Sequence, residues 1–421
     1  MTVARMAIID STLREGEQFA GADFTTDQKL EIIAALDDFG VDYIEMTSPA
    51  ASPQSEADLR AAVAARPRAR VLTHTRCSIE DVDRALATGV DGVNVLFATS
   101  GVLRRASHGR SLDEVIEIAC RVISHVRRAG REIRFSCEDA FRSDLEDILT
   151  VYRAVDACGP ERVGIADTVG IATPREVEEL VVAVRAAVGC DIEFHGHNDT
   201  GCAVANALAA LEAGATHIDT TVLGIGERNG ITSLSGLIAR IGTVSPERVE
   251  PYRLDLLPQV DARVARILGI GVPFNAPITG AFAFTHKAGL HSNAVLRDPR
   301  SYEVLQPERY GLDRQILRGH RLVGRNAIRA HALSLGLDLD EEQVAAVTAH
   351  IKRLADQATL ADDQVDELLL RWPSPAQANS AQPTSAETTS AETTSTQPTS
   401  AQTTSTQPTS AQTTSAQPTP A

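Results

Sequence analysis

The sequence contains no apolar run long enough to cross a membrane, and its N-terminus has no hydrophobic segment typical of signal peptides. It has only six cysteines, which are scattered without a CxxC pair or the regular spacing of a disulfide framework. These absences argue against a membrane-spanning protein, a disulfide-stapled secreted domain and a cysteine zinc cluster. We therefore expect reduced thiols, no membrane partner and a cytoplasmic location.

Positive charge is also scarce in this chain. Lysine and arginine number 40 against 56 acidic residues, which gives a formal net charge of −16. This balance argues against a nonspecific binder of nucleic acid or of anionic membranes, although local basic pockets for anionic substrates remain possible. The hydrophobic content of 43% and charged content of 23% are ordinary for a soluble enzyme, and 421 residues allow more than one domain.

Short apolar runs alternate with helical patterns over residues 1–255. The predicted strands are Met6–Ile9, Tyr43–Thr47, Arg70–His74, Gly92–Phe97, Ile133–Ser136, Arg162–Ala166, Asp191–His195 and His217–Leu223. The predicted helices between them include Thr26–Phe39, Ser111–Val126 and Pro174–Val188, with Thr25 or Thr26 as an N-cap and Gly40 as a C-cap of the first. Eight such units predict an α/β fold, a (β/α)8 TIM barrel. No GxGxxG follows the first strand, which argues against a dinucleotide-binding sheet.

Polar side chains follow the carboxyl ends of several predicted strands, where the active sites of such barrels lie. They are Arg14, Glu15, His74, Asn94, Arg134, Ser136, Glu138, Thr168, His195 and His197. His195 and His197 are two residues apart, so their side chains should face the same side of a strand. Two imidazoles and the Glu15 carboxylate would suit a divalent metal such as Mg, Mn, Co or Zn, whereas the alternative is ordinary polarity of strand ends and loops.

The pattern changes after residue 255. Residues 256–372 contain predicted helices at Leu256–Leu268, Glu341–Ala358 and Asp362–Trp372, a turn-rich stretch at Pro273–Leu290, and further short elements at Glu308–Arg321 and Asn326–Leu335. From Pro373 to Ala421, five-residue variants of Ala-Glu-Thr-Thr-Ser recur without large apolar residues. Such a composition cannot form a core, so this low-complexity tail is predicted to be disordered.

Five segments carry a resemblance to a known family. They are Asp10-Ser-Thr-Leu-Arg-Glu-Gly-Glu-Gln18, Arg134-Phe-Ser-Cys-Glu-Asp139, Ala166-Asp-Thr-Val-Gly170, His195-Gly-His-Asn-Asp199 and Gly224-Ile-Gly-Glu-Arg228. Together they resemble the metal-dependent acyl-CoA condensing barrels, the family of isopropylmalate, citramalate and homocitrate synthases, over about residues 5–372. Ile231 and Arg134 depart from the isopropylmalate synthases, and the whole resembles the homocitrate synthases of bacterial lysine (aminoadipate) biosynthesis.

The resemblance implies a reaction and a set of roles. Acetyl-CoA would condense with 2-oxoglutarate to give homocitrate and CoA. Glu15, His195 and His197 would bind the metal, and Arg14 would stabilise the alkoxide that develops during attack. The remaining substrate contacts would be Gln18, His74, Asn94, Arg134, Ser136 and Thr168. Arg134 would bind the distal carboxylate bidentately, although a salt bridge to Glu138 or Asp139 is a competing interpretation.

The same resemblance places the catalytic base outside the barrel. His291, with Tyr302 nearby, would remove a proton from the acetyl group, and Glu138 would assist by hydrogen bonding. Both aromatic residues would act in trans, because residues 256–372 would complete the active site of the partner in a homodimer.

Asn94 and the choice of acceptor leave alternatives open. The resemblance implies Asp where this chain has Asn94, in a pocket that also binds inhibitory lysine with the help of Glu193. The loss of that carboxylate predicts weak inhibition by lysine. The alternative is that the substitution has no effect on inhibition, because Asp91 supplies the missing charge. The acceptor could instead be a phosphonate oxo acid, 2-oxoisovalerate or pyruvate, and a noncatalytic metal-binding or regulatory protein is the other class of function.

Overall fold

The computed structural model describes residues 3–372, and the predicted low-complexity tail, 373–421, lies outside the described residues. Within the described part, no helix is both long and apolar enough to span a membrane. Residues up to Arg371 cluster as one unit.

Eight parallel strands form a closed barrel in which each strand pairs with its neighbours in sequence and β8 pairs with β1. The strands are β1 (Ala7–Asp10), β2 (Tyr43–Met46), β3 (Arg70–Arg76), β4 (Gly92–Ala98), β5 (Glu132–Glu138), β6 (Arg162–Asp167), β7 (Asp191–Gly196) and β8 (His217–Thr220). The predicted TIM barrel is confirmed, and the predicted strands agree within about two residues except at the end of β8.

Helices cover the outside of the barrel, and all of them except α4 bury apolar residues. They are α1 (Thr26–Phe39), α2 (Pro53–Ala65), α3 (Ile79–Leu86), α4 (Gly101–Ser107), α5 (Leu112–Arg128), α6 (Leu145–Asp156), α7 (Pro174–Ala187), α8 (Ala203–Glu212) and α9 (Leu234–Val244). The expected caps of α1 are confirmed: Thr25 forms a capping box with Gln28, and Gly40 is left-handed with φ of 100°.

Strand β8 is shorter than the sequence pattern predicts. It ends at Thr220, and a 3₁₀ turn follows at Val222–Gly224 in which Leu223 has a φ of 61°. Apolar residues continue to Leu223, so the pattern alone does not reveal that the backbone leaves the sheet. The turn brings the following loop, Gly224–Gly230, toward the carboxyl ends of the strands.

The region after the barrel is mainly helical, as predicted. It contains α10 (Leu257–Leu268), α11 (Gly289–Arg297), α12 (Arg325–Ser334), α13 (Glu341–Ala355) and α14 (Asp362–Leu370), and two short parallel strands, β9 (Thr285–His286) and β10 (Gln315–Ile316). Helix α10 packs on α1 of the barrel. The small sheet was not predicted because a two-residue strand leaves no alternation to detect.

The interior of the barrel is unusually polar. Apolar residues fill the space between strands and helices, whereas Glu45, Arg134, Arg162, Glu193 and Asp219 are all buried. Buried charges are expensive unless they are paired, so these residues must be arranged against one another. This charged interior forms the floor beneath the carboxyl ends of the strands, where the candidate site lies.

Candidate active site

A cavity of about 370 Å³ opens at the carboxyl ends of the strands, and we call it the inner cavity. Its lining comprises Arg14, Glu15, Gln18, Glu45, His74, Leu96, Arg134, Ser136, Glu138, Ala166, Thr168, His195, His197, Glu227 and Arg228. Most of the candidate residues from the sequence therefore meet in one place. Asn94, His291 and Tyr302 are not among the lining residues in the described part of the chain.

Glu15, His195 and His197 bring three candidate ligand atoms within 4.8 Å of one another. The Nε2 atoms of His195 and His197 lie 3.4 Å apart, and each is 4.0 Å from a different oxygen of Glu15. His195 comes from the end of β7, and His197 follows that strand and bridges to Ile231. The three converging atoms, one oxygen and two nitrogens, suit a divalent metal.

The protonation of these groups also suits a metal. Burial lowers the pKa of His197 to about 4, with a further contribution from His195, and burial likewise lowers the pKa of His195. Burial alone would raise the pKa of Glu15, but Arg14 and the backbone N–H of Glu227 lower it. Neutral imidazoles and an ionised carboxylate are the forms that bind metals.

Asp219 orients the His195 ring through Nδ1, the nitrogen that does not face Glu15. The sequence analysis did not select Asp219. Its Oδ2 lies 2.8 Å from His195 Nδ1, which leaves Nε2 directed toward Glu15 and His197. A carboxylate in this position fixes the imidazole and strengthens it as a ligand. Asp219 lies two residues after His217 in β8, so an acidic residue at an inward position of a buried strand was the available signal.

The loop Gly224–Gly230 holds Glu15 in place. The backbone N–H of Glu227 donates to Glu15 Oε1 at 2.9 Å, and Arg228 anchors the loop through two bonds to Asp199. Gly230 has a φ of 69°, and a Cβ there would lie 1.7 Å from the carbonyl oxygen of Gly224. The loop can therefore approach Glu15 in this conformation only because residue 230 is glycine.

Arg134 forms the cationic floor of the inner cavity. Its guanidinium pairs with Glu193 and lies 3.7 Å from Asp219 and 4.0 Å from Glu45. Burial alone would lower the pKa of Arg134, but these acids raise it above its ordinary value. The sequence analysis considered a salt bridge from Arg134 to Glu138 or Asp139 as an alternative. Those partners are wrong, because Arg134 pairs with Glu193, and Asp139 binds Ser100 and Arg142.

Asn94 lies beside Arg134, its register partner on the neighbouring strand. Its side-chain amide donates to Glu45 Oε1 at 2.6 Å, and the residue is fully buried. Glu45 itself, which the sequence analysis did not select, also accepts from Ser11 at 2.7 Å and lies 3.9 Å from Arg14. Asn94 therefore acts on the cavity through Glu45 in this structure, and direct contact with a ligand remains a prediction.

The other predicted substrate contacts surround the metal candidates. His74 Nε2 is buried without a hydrogen-bond partner, and burial together with Arg14 lowers the pKa of His74 well below its usual range. Ser136 donates to Gly164, while Thr168 accepts from the backbone N–H of Asp139. Burial raises the pKa of Glu138; Arg14 opposes this rise and Asp139 adds to it. The inner cavity thus offers neutral polar groups around Arg14 and Arg134.

His291 and Tyr302 lie together on the surface of the C-terminal region. Their rings stack with centroids 4.1 Å apart, and both side chains are exposed. Neither lines the inner cavity of its own chain within the described residues. Large apolar side chains close to them in sequence, Leu290 and Val304, are also exposed. The two rings are thus stacked on each other, but they lie outside the inner cavity of their own chain.

Comparisons with known proteins agree with this fold and site. The HMGL-like family matches residues 5–261, and a second family described as homocitrate synthase post-HMGL domain-like matches residues 278–359. The chain belongs to the HMGL-like family. Within that family it groups with the homocitrate synthases, which match it at about 52% identity over most of its length.

The mitochondrial homocitrate synthase of Penicillium rubens is 53% identical over 87% of this chain and 78% of its own length. The cytosolic homocitrate synthase isozyme of Saccharomyces cerevisiae is 52% identical over 87% of this chain and 86% of its own length. Among solved structures, an HMG-CoA lyase from Brucella melitensis shares the fold, with a TM-score of 0.56 and 23% identity over 63% of this chain and 99% of the lyase.

The first prediction concerns the metal candidates. We expect Asp219→Asn to weaken the affinity for a divalent metal about 10- to 100-fold, because His195 loses its orienting carboxylate, and Glu15→Gln to weaken it more. Metal content after dialysis against graded free Mn²⁺ or Zn²⁺ measures this without relying on activity. Arg175→Gln, which removes an exposed charge on α7 outside the cavity lining, is the control. Unchanged metal content in Glu15→Gln would contradict the assignment.

Proposed function

We propose that this protein condenses acetyl-CoA with 2-oxoglutarate and releases homocitrate and CoA, as a homocitrate synthase in lysine biosynthesis. The observation that carries the proposal is the position of Arg134, Arg14 and His74 around the Glu15–His195–His197 cluster. A dicarboxylic oxo acid needs cations or donors at both of its ends, and this cavity offers both. The high identity to homocitrate synthases over both matched regions supports the same reaction.

Glu15, His195 and His197 would hold a divalent metal, Mg, Mn, Co or Zn, which when bound would bind the oxo acid and polarise its keto group. Arg14 pairs with Glu15 and stands beside the cluster, so its guanidinium stabilises negative charge that develops on the keto oxygen. Arg134 binds the distal carboxylate, with Ser136, Thr168 and His74 as further contacts. Gln18, which is exposed, contacts the substrate from the rim.

His291 removes the proton from the acetyl methyl group, and Tyr302 supports its ring. Glu138, which lines the inner cavity, assists by a hydrogen bond. The carbanion attacks the keto carbon, and water then cleaves the thioester to release CoA. Since the stacked His291–Tyr302 pair lies outside its own inner cavity, we place it in the active site of a second copy. The active unit is then a homodimer. For its location, we propose the cytoplasm.

The experiment that tests the function measures CoA release with a panel of oxo acids. We expect 2-oxoglutarate to give the highest kcat/KM, ahead of 2-oxoisovalerate, pyruvate and a phosphonate oxo acid. Release that is fastest with one of the other acids would replace the proposed acceptor. Failure of every acid to release CoA from metal-loaded protein would favour the noncatalytic alternative.

The second prediction assigns the distal carboxylate to Arg134. A charge-assisted pair of this kind contributes about 1.5–3 kcal/mol, so Arg134→Ala should lower kcat/KM for 2-oxoglutarate at least about tenfold. The loss for 2-oxoisovalerate should be much smaller, because that acid has no distal charge. Measuring both acids with one preparation separates binding from any loss of folded protein, which would affect both equally. Equal losses would contradict the role.

The third prediction tests action in trans. Mixed dimers of a His291→Ala chain and a Glu15→Gln chain should regain part of the activity, because one of the two sites then contains both intact groups. Each parent dimer should remain inactive when mixed and assayed without subunit exchange. No recovery in dimers shown by two affinity tags to be mixed would place His291 in its own site or remove it from the mechanism.

The fourth prediction concerns inhibition by lysine. An ammonium group beside Glu193 and an amide at residue 94 has one carboxylate fewer than it would have beside Asp. We therefore expect weak inhibition in the natural protein and inhibition about five- to a hundredfold tighter in Asn94→Asp. Asn94→Ala is the control, since it removes the amide without adding charge. Equal inhibition constants for lysine in the natural protein and in Asn94→Asp would show that residue 94 has no such role.

A further inference from the structure

Arg162 lies at the start of β6, toward the end of the barrel opposite the inner cavity. It is fully buried, although its guanidinium keeps its charge at any ordinary pH. Its register partner on β5 is Arg134, so two buried guanidinium groups belong to neighbouring strands and face the same side of the sheet. Two like charges at this spacing repel each other unless an acid lies between them.

Glu193 of β7 is the acid that connects the two arginines. Its Oε2 accepts a hydrogen bond from Arg162 Nε at 3.0 Å, and its Oε1 pairs with Arg134 Nη2. Burial alone would raise the pKa of Glu193, but Arg134 and Arg162 lower it, so the carboxylate is ionised. Each oxygen of Glu193 therefore serves a different guanidinium.

This division leaves Arg134 with an unused donor. The contacts of Arg134 with Glu193, Asp219 and Glu45 all converge on Nη2. Its Nε is buried without a hydrogen-bond partner in the described part of the chain. A buried donor of this kind costs free energy, so a carboxylate that reaches the guanidinium is bound strongly. Glu193, which already pairs with Nη2, is the internal competitor for that position.

Other contacts hold Arg162 where it can bind Glu193. Its Nη1 pairs with Glu132 of β5, and its guanidinium carbon lies 4.8 Å from the centre of the Tyr43 ring. Glu132 pairs in turn with Arg70, whose guanidinium carbon lies 5.7 Å from the centre of the same ring. Arg162 and Arg70 thus share two partners, but of these two arginines Arg162 alone bonds to Glu193 within residues 3–372.

We infer that Arg162 is a positioning residue for the oxo acid. By holding one oxygen of Glu193, it prevents Glu193 from pairing with Arg134 through both oxygens. Arg134 then stays available to the distal carboxylate of the substrate. Without Arg162, Glu193 turns to the Nε and Nη2 atoms of Arg134, because a carboxylate fits a guanidinium bidentately. The inference rests on the proposed function for the identity of the substrate, whereas the pairing of Glu193 does not depend on it.

The kinetic test removes the donors of Arg162 and keeps an unbranched side chain. In Arg162→Met, we expect the KM for 2-oxoglutarate to rise about tenfold or more and kcat to change less, because Arg134 must leave Glu193 before it binds the substrate. The KM for 2-oxoisovalerate should change little, since that acid has no distal carboxylate. Arg162→Lys, which keeps a cation beside Glu193, should restore most of the affinity. An unchanged KM for 2-oxoglutarate in Arg162→Met would overturn the inference.

Arg70→Met is the matched control. It makes the same change in the arginine that shares Glu132 and Tyr43 with Arg162. Its KM for 2-oxoglutarate should stay close to that of the natural protein. An equal rise in Arg70→Met and Arg162→Met would assign the effect to general packing at this end of the barrel, and the role of Arg162 would be lost.

A double variant, Arg162→Met/Glu193→Gln, tests whether Arg162 acts through Glu193. Residue 193 no longer competes for Arg134 as a carboxylate, so the KM for 2-oxoglutarate should return toward the natural value. This variant loses one charge of each sign, and Glu132 keeps Arg70 as a partner. If Arg162→Met does not fold, Glu193→Gln and the double variant are compared, and their KM values should be similar. A clearly higher KM in the double variant would mean that Arg162 acts by another route.

A crystal structure of Arg162→Met without substrate separates this inference from the proposed function. We expect both oxygens of Glu193 to bond to Arg134, one to Nε and the other to Nη2. That pairing supports the inference even if no oxo acid releases CoA, in which case the proposed function alone fails. If Glu193 still bonds to Arg134 through one oxygen in a variant that condenses 2-oxoglutarate normally, the reaction stands and Arg162 does not position Arg134.

Discussion

The ion pair between Arg134 and Glu193 inside the barrel is the interaction on which the candidate site depends. Glu193 also accepts a hydrogen bond from Arg162 at 3.0 Å, so the carboxylate lies between two buried guanidinium groups. Burying a charge is costly, and a guanidinium cannot escape that cost by losing its proton. The acids of the interior are therefore needed to keep a cation beneath the inner cavity. Removing either partner would leave the other charge uncompensated.

The pleat of the strands couples this ion pair to the metal candidates. Glu193 and His195 are two residues apart on β7, and Arg134, Ser136 and Glu138 follow the same spacing on β5. Side chains at this spacing face the same way, so each strand contributes first to the floor and then to the wall of the cavity. Asp219 of β8 connects the floor of the cavity with the metal candidates, because it lies near Arg134 and contacts His195. A shift of one residue in β7 would remove both contributions together.

The sequence could predict the barrel and most of the side chains at its mouth, because both follow from local patterns. Period-two alternation places Arg134 inward, but it does not say which strand across the barrel supplies the partner. That is why Glu138 and Asp139, close in sequence, were considered instead of Glu193. Glu45 and Asp219 were missed because an acidic residue in a short apolar strand resembles an interruption of the strand.

Residue 94 influences the charge of the cavity floor through Glu45, to which its side chain donates a hydrogen bond. The Asn94 amide donates to Glu45, and burial, which alone would raise the pKa of Glu45, is outweighed by Arg14 and Arg134. A carboxylate at residue 94 would face Glu45 at hydrogen-bond distance, and one of the two acids would have to take up a proton or recruit a cation. Arg134, the register partner of residue 94 on β5, lies 4.0 Å from Glu45 and is a buried candidate for that cation. Because asparagine satisfies Glu45 with a neutral donor, Arg134 keeps its pairing with Glu193 and its position on the floor. The amide thus leaves the floor more positive than a carboxylate would, which favours an anionic acceptor over a cationic ligand.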